Sequence, residues 1–168
     1  VFPRSLLLIV LAIMSNNISK IISMNTNYAT EMRHLAERDQ MTGAYTKTKY
    51  LNMIETDYIH EERIGIIFWD VNYLKQINDT MGHKAGDELL QSAYTLLCNT
   101  FSHSMVYRVG GDEFVVLLKG RDLEKYYSCV EKMDEIFADK YITVNEEKVY
   151  VSIARGIAIF DASIDQVY

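Results

Sequence analysis

Cysteine is scarce in this chain, and the little there is does not pair. Cys98 and Cys129 stand apart, with no CxxC motif and no Cys/His ligand spacing. That excludes a disulfide framework and a zinc site and fits a reducing compartment. Basic residues are also in deficit: 17 Lys and Arg against 23 Asp and Glu give a formal charge of -6 and a pI near 5.2. Proteins that grip a nucleic-acid backbone normally present a basic face, so that class is excluded. A nucleotide carried with its metal ion is not excluded, because a bound cation offsets acidic residues locally. Repeats and low-complexity tracts are missing too.

No apolar run reaches the roughly 20 residues that a membrane-spanning helix takes. The stretch "LLLIVLAIM", Leu6 to Met14, is read as the cytoplasmic end of a transmembrane helix that begins before Val1. Its alternatives are the apolar start of a coiled coil and the core of a signal peptide. The last is disfavoured because "SNNISK" offers a poor cleavage site. Beyond it the pattern is heptad-like: Leu11/Met14, Ile18/Ile21, Asn25/Tyr28 and Met32/Leu35 fall at successive a and d positions, with Asn25 a register-fixing polar residue. The spacing predicts a parallel helical dimer stalk over 15–38; a single amphipathic helix is the alternative.

With 49% of its 168 residues apolar, the chain has enough for one substantial core. After the Thr42-Gly43 turn signal, "TKTKYLNMIETDYIHEE" reads as a helix with Tyr50, Leu51, Ile54 and Tyr58 on one face. "RIGIIFWD" reads as a buried strand ending on Asp70, followed by an irregular polar segment and the helix "GDELLQSAYTLLCNTF". "SMVYRV" and "EFVVLLK" read as a hairpin closed by Gly110-Gly111. A helix from Asp122 to Phe137 and a long strand near "VYVSIARGIAIF" complete the series. The order β-α-β-β-α-β predicts an α+β fold, a ferredoxin-like or palm-type antiparallel sheet with flanking helices.

Two polar constellations interrupt these apolar elements. In "RVGGDEFVVLL" the acids Asp112 and Glu113 follow a glycine pair in mid-hairpin. The expected topology brings Asp70 opposite Asp112, and two close carboxylates repel unless one is protonated or a cation lies between them. A hard divalent ion such as Mg²⁺ resolves the repulsion and usually brings a nucleotide's phosphates with it. Solvated hairpin residues are the plain alternative. The second constellation, "DVNYLKQINDTMGHKAGDELL", gathers Asp70, Lys75, Asn78, Asp79, His83 and Asp87. Lys75 suits a phosphate as a point charge, and the carboxylate–amide pair Asp87 and Asn78 suits guanine, whose N1 and N2 are adjacent donors. Taken singly, Asp87 reads equally as a dipole-favoured helix start and His83 as a packed loop residue.

Together, "GGDEF" at Gly110 to Phe114, the block from Asp70 and "DxxTG" from Asp39 to Gly43 resemble the GGDEF family of bacterial diguanylate cyclases. The resemblance spans about 39–168 and implies condensation of two GTP into cyclic di-GMP with release of pyrophosphate, by a homodimer holding one GTP per subunit. It implies that Asp70, Asp112 and the Val71 carbonyl hold Mg²⁺ or Mn²⁺. Glu113 would act on the metal or the 3′-hydroxyl, and Asn78 and Asp87 would contact guanine. Lys75 with the backbone of Tyr73 and Leu74 would contact phosphates, and Gly110 and Gly111 would let the nucleotide lie against the hairpin.

A degenerate domain that binds GTP as a regulatory module is the alternative function, and a receptor's dimerisation segment a third. The implied setting is cytoplasmic, tethered to the bacterial inner membrane through the N-terminus. Three departures stand out. Asn72 replaces a second Asp, and Thr46-Lys47 replaces Asn-Arg. "FSHS" puts Phe101 and Ser104 where many members carry an inhibitory product-binding Arg and Asp. The family also continues past "DASIDQVY" into a further helix, so the domain is expected to be truncated at its C-terminus.

Overall fold

The computed structural model describes residues 3–144 and 146–161. The chain divides into two units, one ending at Glu37 and one starting at Arg38. The first is a single helix, α1 (Arg4–Glu37). Its side chains at Leu11, Met14, Ile18, Ile21, Tyr28 and Met32 are exposed, as are Ile22 and Met24 beside them. The first six are positions of the expected a/d series, exposed like every other side chain from 11 to 28, and Leu35 lies outside the described side chains. No helix among the described residues is long and apolar enough to cross a membrane.

The second unit holds β1 (Tyr45–Thr46), α2 (Lys47–Thr56), β2 (Arg63–Val71), α3 (Leu74–Met81), α4 (His83–Thr100), β3 (Met105–Arg108), β4 (Glu113–Leu118), α5 (Gly120–Glu124), α6 (Tyr126–Asp139), β5 (Tyr141–Val144), β6 (Glu147–Tyr150) and β7 (Ile153–Asp161). The sheet order is β1-β3-β4-β2-β7, antiparallel except for the short β1–β3 pair, with β5–β6 a separate hairpin. The four long strands therefore run in the expected ferredoxin-like order, with β2 and β4 at the centre.

Alternation along the strands explains why the sheet carries a layer on each face. Phe114, Val116 and Leu118 of β4 join Ile67, Trp69 and Val71 of β2 in a core with Leu89, Leu90, Ala93 and Leu97 of α4 and with Val130 and Met133 of α6. The residues in between, Val115 and Leu117, pack on the opposite face with Met53 of α2, Tyr58 and Tyr107. Each large side chain withdrawn from water there contributes about 1.5–3 kcal/mol.

Several elements differ from the sequence reading. The helix expected through "TKTKYLNMIETDYIHEE" stops at Thr56 and gives way to a 3₁₀ turn at Tyr58–His60. The polar segment after Asp70 contains a helix, α3. The helix expected over 122–137 is two, α5 and α6, and the long last strand breaks at Val151-Ser152 into β6 and β7. The C-terminal expectation at "DASIDQVY" falls on 162–168, outside the described residues.

Candidate active site

The register of the two central strands builds the site. Asp70 near the end of β2 is the cross-strand partner of Glu113 at the start of β4. Directly opposite residues carry their Cβ atoms about 4.5–5.5 Å apart on the same face of the sheet. Asp112 lies one step further on, where its carbonyl accepts the Val71 N–H at 2.9 Å. The expected pairing of Asp70 with Asp112 is thus shifted by one residue: Glu113 is the acid directly opposite Asp70, and Asp112 adjoins through the backbone.

The turn itself is closed by Val109 N–H donating to the Glu113 carbonyl at 2.9 Å. Its glycines serve space rather than an unusual backbone angle. A methyl group added at Gly110 would collide with the Glu113 carboxylate, which folds back over it, whereas Gly111 faces open space. Arg108 braces the turn from behind, with Nη2 and Nε donating to the Gly111 carbonyl at 2.6 and 3.2 Å.

Beyond Asp70 the chain is pinned on its other side. Asn72 donates from its backbone N–H to the Ser152 carbonyl and from Nδ2 to Ser152 Oγ, both at 2.9 Å. Tyr73 then takes a left-handed backbone conformation, φ 63° and ψ 12°. For a non-glycine residue that is an uncommon state, and the surrounding bonds hold it. α3 starts directly after this kink, which sets Tyr73, Leu74 and Lys75 beside the end of β2, and its Ile77 is buried in the core. Lys75 is exposed. Asn78 packs against Gly86 of α4, next to the exposed Asp87. His83 and Asp79 are exposed and make no part of this cluster.

A shallow depression of about 170 Å³ lies against Asp70 and Glu113, floored by Phe68, Ala154 and Gly156. Pockets that enclose a drug-sized ligand run to about 300–1,000 Å³, so a nucleoside triphosphate would extend from here over the surface. Among the described residues no three carboxylate, His or Cys side chains converge on one point. Asp70, Glu113, Asp112 and the Val71 carbonyl are all hard oxygen donors, a set that suits Mg²⁺ or Mn²⁺ with phosphate oxygens and water filling the remaining positions. Burial raises both free thiols, Cys98 and Cys129, above their ordinary range, which disfavours the reactive thiolate.

Sequence reasoning missed two supporting groups. Arg108 also donates from Nη1 to Asp39 Oδ1 at 3.0 Å, linking the "DxxTG" turn to the signature turn. Ser152 sits in what reads as an unbroken strand. Only the placement of Arg108 two residues before the glycine pair hinted at the first; nothing local marked the second.

The comparisons with known proteins show the family and the fold. The family description "Diguanylate cyclase, GGDEF domain" matches residues 36–167. This chain belongs to the GGDEF diguanylate cyclase family. It is 30% identical over 175 residues to diguanylate cyclase DosC of Escherichia coli K12, covering 96% of this chain and 37% of that protein. It is 26% identical over 118 residues to diguanylate cyclase A of Treponema denticola, covering 70% and 32%. The chain thus spans about a third of the length of these relatives. Among solved structures, the coiled coil and GGDEF domain of DgcB from Caulobacter crescentus, in complex with c-di-GMP, superposes with a TM-score of 0.75 at 15% identity over 90% of this chain and 83% of that one. The FimX GGDEF domain of Pseudomonas aeruginosa gives 0.66 at 18% identity over 75% and 81%. At these identities the likeness shows the fold.

Proposed function

We propose that the protein is a diguanylate cyclase that condenses two GTP into cyclic di-GMP and releases two pyrophosphates. The observation that carries this reading is the apposition of Asp70, Glu113 and Asp112 at the ends of two central strands, beside a glycine turn open to a ligand.

Asp70, Asp112 and the Val71 carbonyl would hold Mg²⁺ or Mn²⁺. Held there, such an ion would supply positive charge to offset that on the α-phosphate and the departing pyrophosphate. Glu113, across from Asp70, is placed to assist the ion or to take the proton from an attacking 3′-hydroxyl. Tyr73 and Leu74 offer backbone N–H groups, and Lys75 its ammonium, to the phosphates. Asn78 and Asp87 read the guanine edge, and Gly111 leaves room for the nucleotide over the hairpin. In each step the 3′-oxygen of one GTP bonds to the α-phosphorus of the other, the bond to pyrophosphate breaks and the 3′-proton leaves. Two such steps close the ring.

Each subunit supplies one GTP, so the reaction requires two copies facing one another. The exposed apolar stripe of α1 supports pairing through a parallel coiled coil, which raises the effective concentration of the half-sites. For attachment to a membrane, Leu6 to Met14 supplies about half the length of a span. Incubation with GTP and Mg²⁺ or Mn²⁺, with products resolved by chromatography, tests the reading. Cyclic di-GMP and pyrophosphate are the expected products. GTP bound without turnover would assign the chain to the regulatory-module class instead.

A further inference from the structure

Gly82 joins α3 to α4 alone, with φ 87° and its N–H donated to the Asn78 carbonyl at 3.0 Å. The two helices splay from this residue, and Asn78 and Gly86 lie one turn away on either side of it. They meet face to face. A methyl group at Gly86 would occupy the space of Asn78 Oδ1 and would come within 3.0 Å of Leu74 Cδ1. Gly86 is buried, yet it is the fourth residue of an 18-residue helix, and within a helix glycine is the least favourable residue after proline. Its backbone angles are helical, so the demand there is for space. Among the described residues the Asn78 carboxamide has no hydrogen-bond partner, and its packing on Gly86 is what fixes its direction beside Asp87.

We propose that Gly86 is a specificity-determining position: its missing side chain seats the Asn78 carboxamide beside Asp87 and so sets the preference for guanine. The inference rests on the reading of Asn78 and Asp87 as the pair that contacts the base. Gly86 touches no ligand; it acts through Asn78. The colliding atoms, Oδ1 and Cγ of Asn78, both belong to the end of a short, rotatable side chain, and Leu74 Cδ1 is the end of another, so an added methyl turns the carboxamide aside and leaves the helices packed. A glycine kept only for helix–helix approach would behave in the opposite way, losing stability when enlarged and leaving base choice untouched.

The test is displacement of a fluorescent GTP analogue from the whole chain by GTP and by ATP, with melting temperatures measured on the same samples. The wild-type chain should prefer GTP. Gly86→Ala should lose at least about tenfold of that preference while its melting temperature holds or rises, because alanine is favoured in a helix interior. Asn78→Ala should lose a similar amount, and adding Gly86→Ala to it should change nothing more. An unaltered preference in Gly86→Ala, a loss that comes with a lowered melting temperature or unfolding, or additive losses in the double variant would each overturn the proposal. A wild-type chain that binds GTP and ATP alike would overturn the base-contacting pair, and this inference with it.

Discussion

Arg108 holds Asp39 and the Gly111 carbonyl on one guanidinium, with Nη1 on the carboxylate at 3.0 Å and Nη2 on the carbonyl at 2.6 Å. The first residue pair belongs to the turn that opens the domain, the second to the turn that carries the site. With only 16% of the Arg108 side chain exposed, the link is poorly screened by solvent. Arg108→Ala should cost about 1–3 kcal/mol of stability, measured as the shift in urea midpoint, and should slow turnover by loosening the signature turn. Lysine lacks the planar fork that serves both acceptors, so Arg108→Lys should recover only part of either loss. Wild-type midpoints in both variants would contradict this.

Asp39 gives the domain a specific acid sensitivity. Burial raises its pKa, but bonds from the Thr42 hydroxyl at 2.6 Å, the Thr42 N–H at 2.9 Å and Arg108 outweigh that and leave it below the usual carboxylate value of 3.8. A depressed folded pKa means that the unfolded chain takes up this proton first on acidification. The stabilisation is therefore complete above the ordinary carboxylate range and disappears as pH falls from about 4 through the lower folded value. Asp39→Asn should lower stability at pH 7 and flatten the stability profile below pH 5. Parallel slopes for variant and wild type in that region would show that other carboxylates govern it.

The central acids should separate function from fold. On the proposed metal site, Asp70→Asn and Asp112→Asn would each remove a charge that faces the cation, a contribution of several kcal/mol, so cyclic di-GMP formation should fall more than about a hundredfold. Neither carboxylate supports the core, and melting temperatures without metal should be unchanged or higher once like charges are relieved. Turnover that persists in either variant with normal metal dependence would remove the carboxylate from the metal site.

Product inhibition through the "FSHS" segment should be missing. Phe101 is fully buried against Trp69, with ring centroids 6.1 Å apart, and offers no group to a phosphate. Ser104 is spoken for: its hydroxyl donates to the buried Asp122 carboxylate at 2.8 Å and accepts the Lys119 N–H at 3.0 Å. Calorimetric titration of the nucleotide-free chain with cyclic di-GMP should show no micromolar site that survives Asp70→Asn. Such a site, if seen, would place product recognition on this segment after all.

Much of this was readable from the residues. The runs around Ile67, Val115 and Leu89 fixed the central strands and α4, since apolar runs and helical spacing report burial directly. Helix α3 escaped because eight residues with one buried side chain, Ile77, are too short a window for helical spacing to stand out, and because its start is a left-handed tyrosine rather than a glycine or a capping Ser, Thr, Asp or Asn. The β5–β6 hairpin and the break before β7 escaped for a similar reason: no Gly or Pro marks Val151-Ser152, where pairing with Asn72 interrupts the strand. At the site, sequence placed the acids in one locality but missed the register by one step. That step is decided by the whole β2–β4 ladder, from Gly65↔Leu118 to Asp70↔Glu113, and not by the turn alone.

Strand β2, which carries Asp70, has a bonded neighbour along both edges, β4 on one side and β7 on the other. Its amides should therefore be among the last to open to solvent, whereas β7 at the sheet edge and the two-stranded β5–β6 hairpin should fray at lower cost. Asp70 and its cross-strand partner Glu113 thus belong to the central ladder, expected to come apart last. Breathing at the periphery leaves them in register, and on heating the chain forfeits its catalytic geometry in the same cooperative step that melts the sheet.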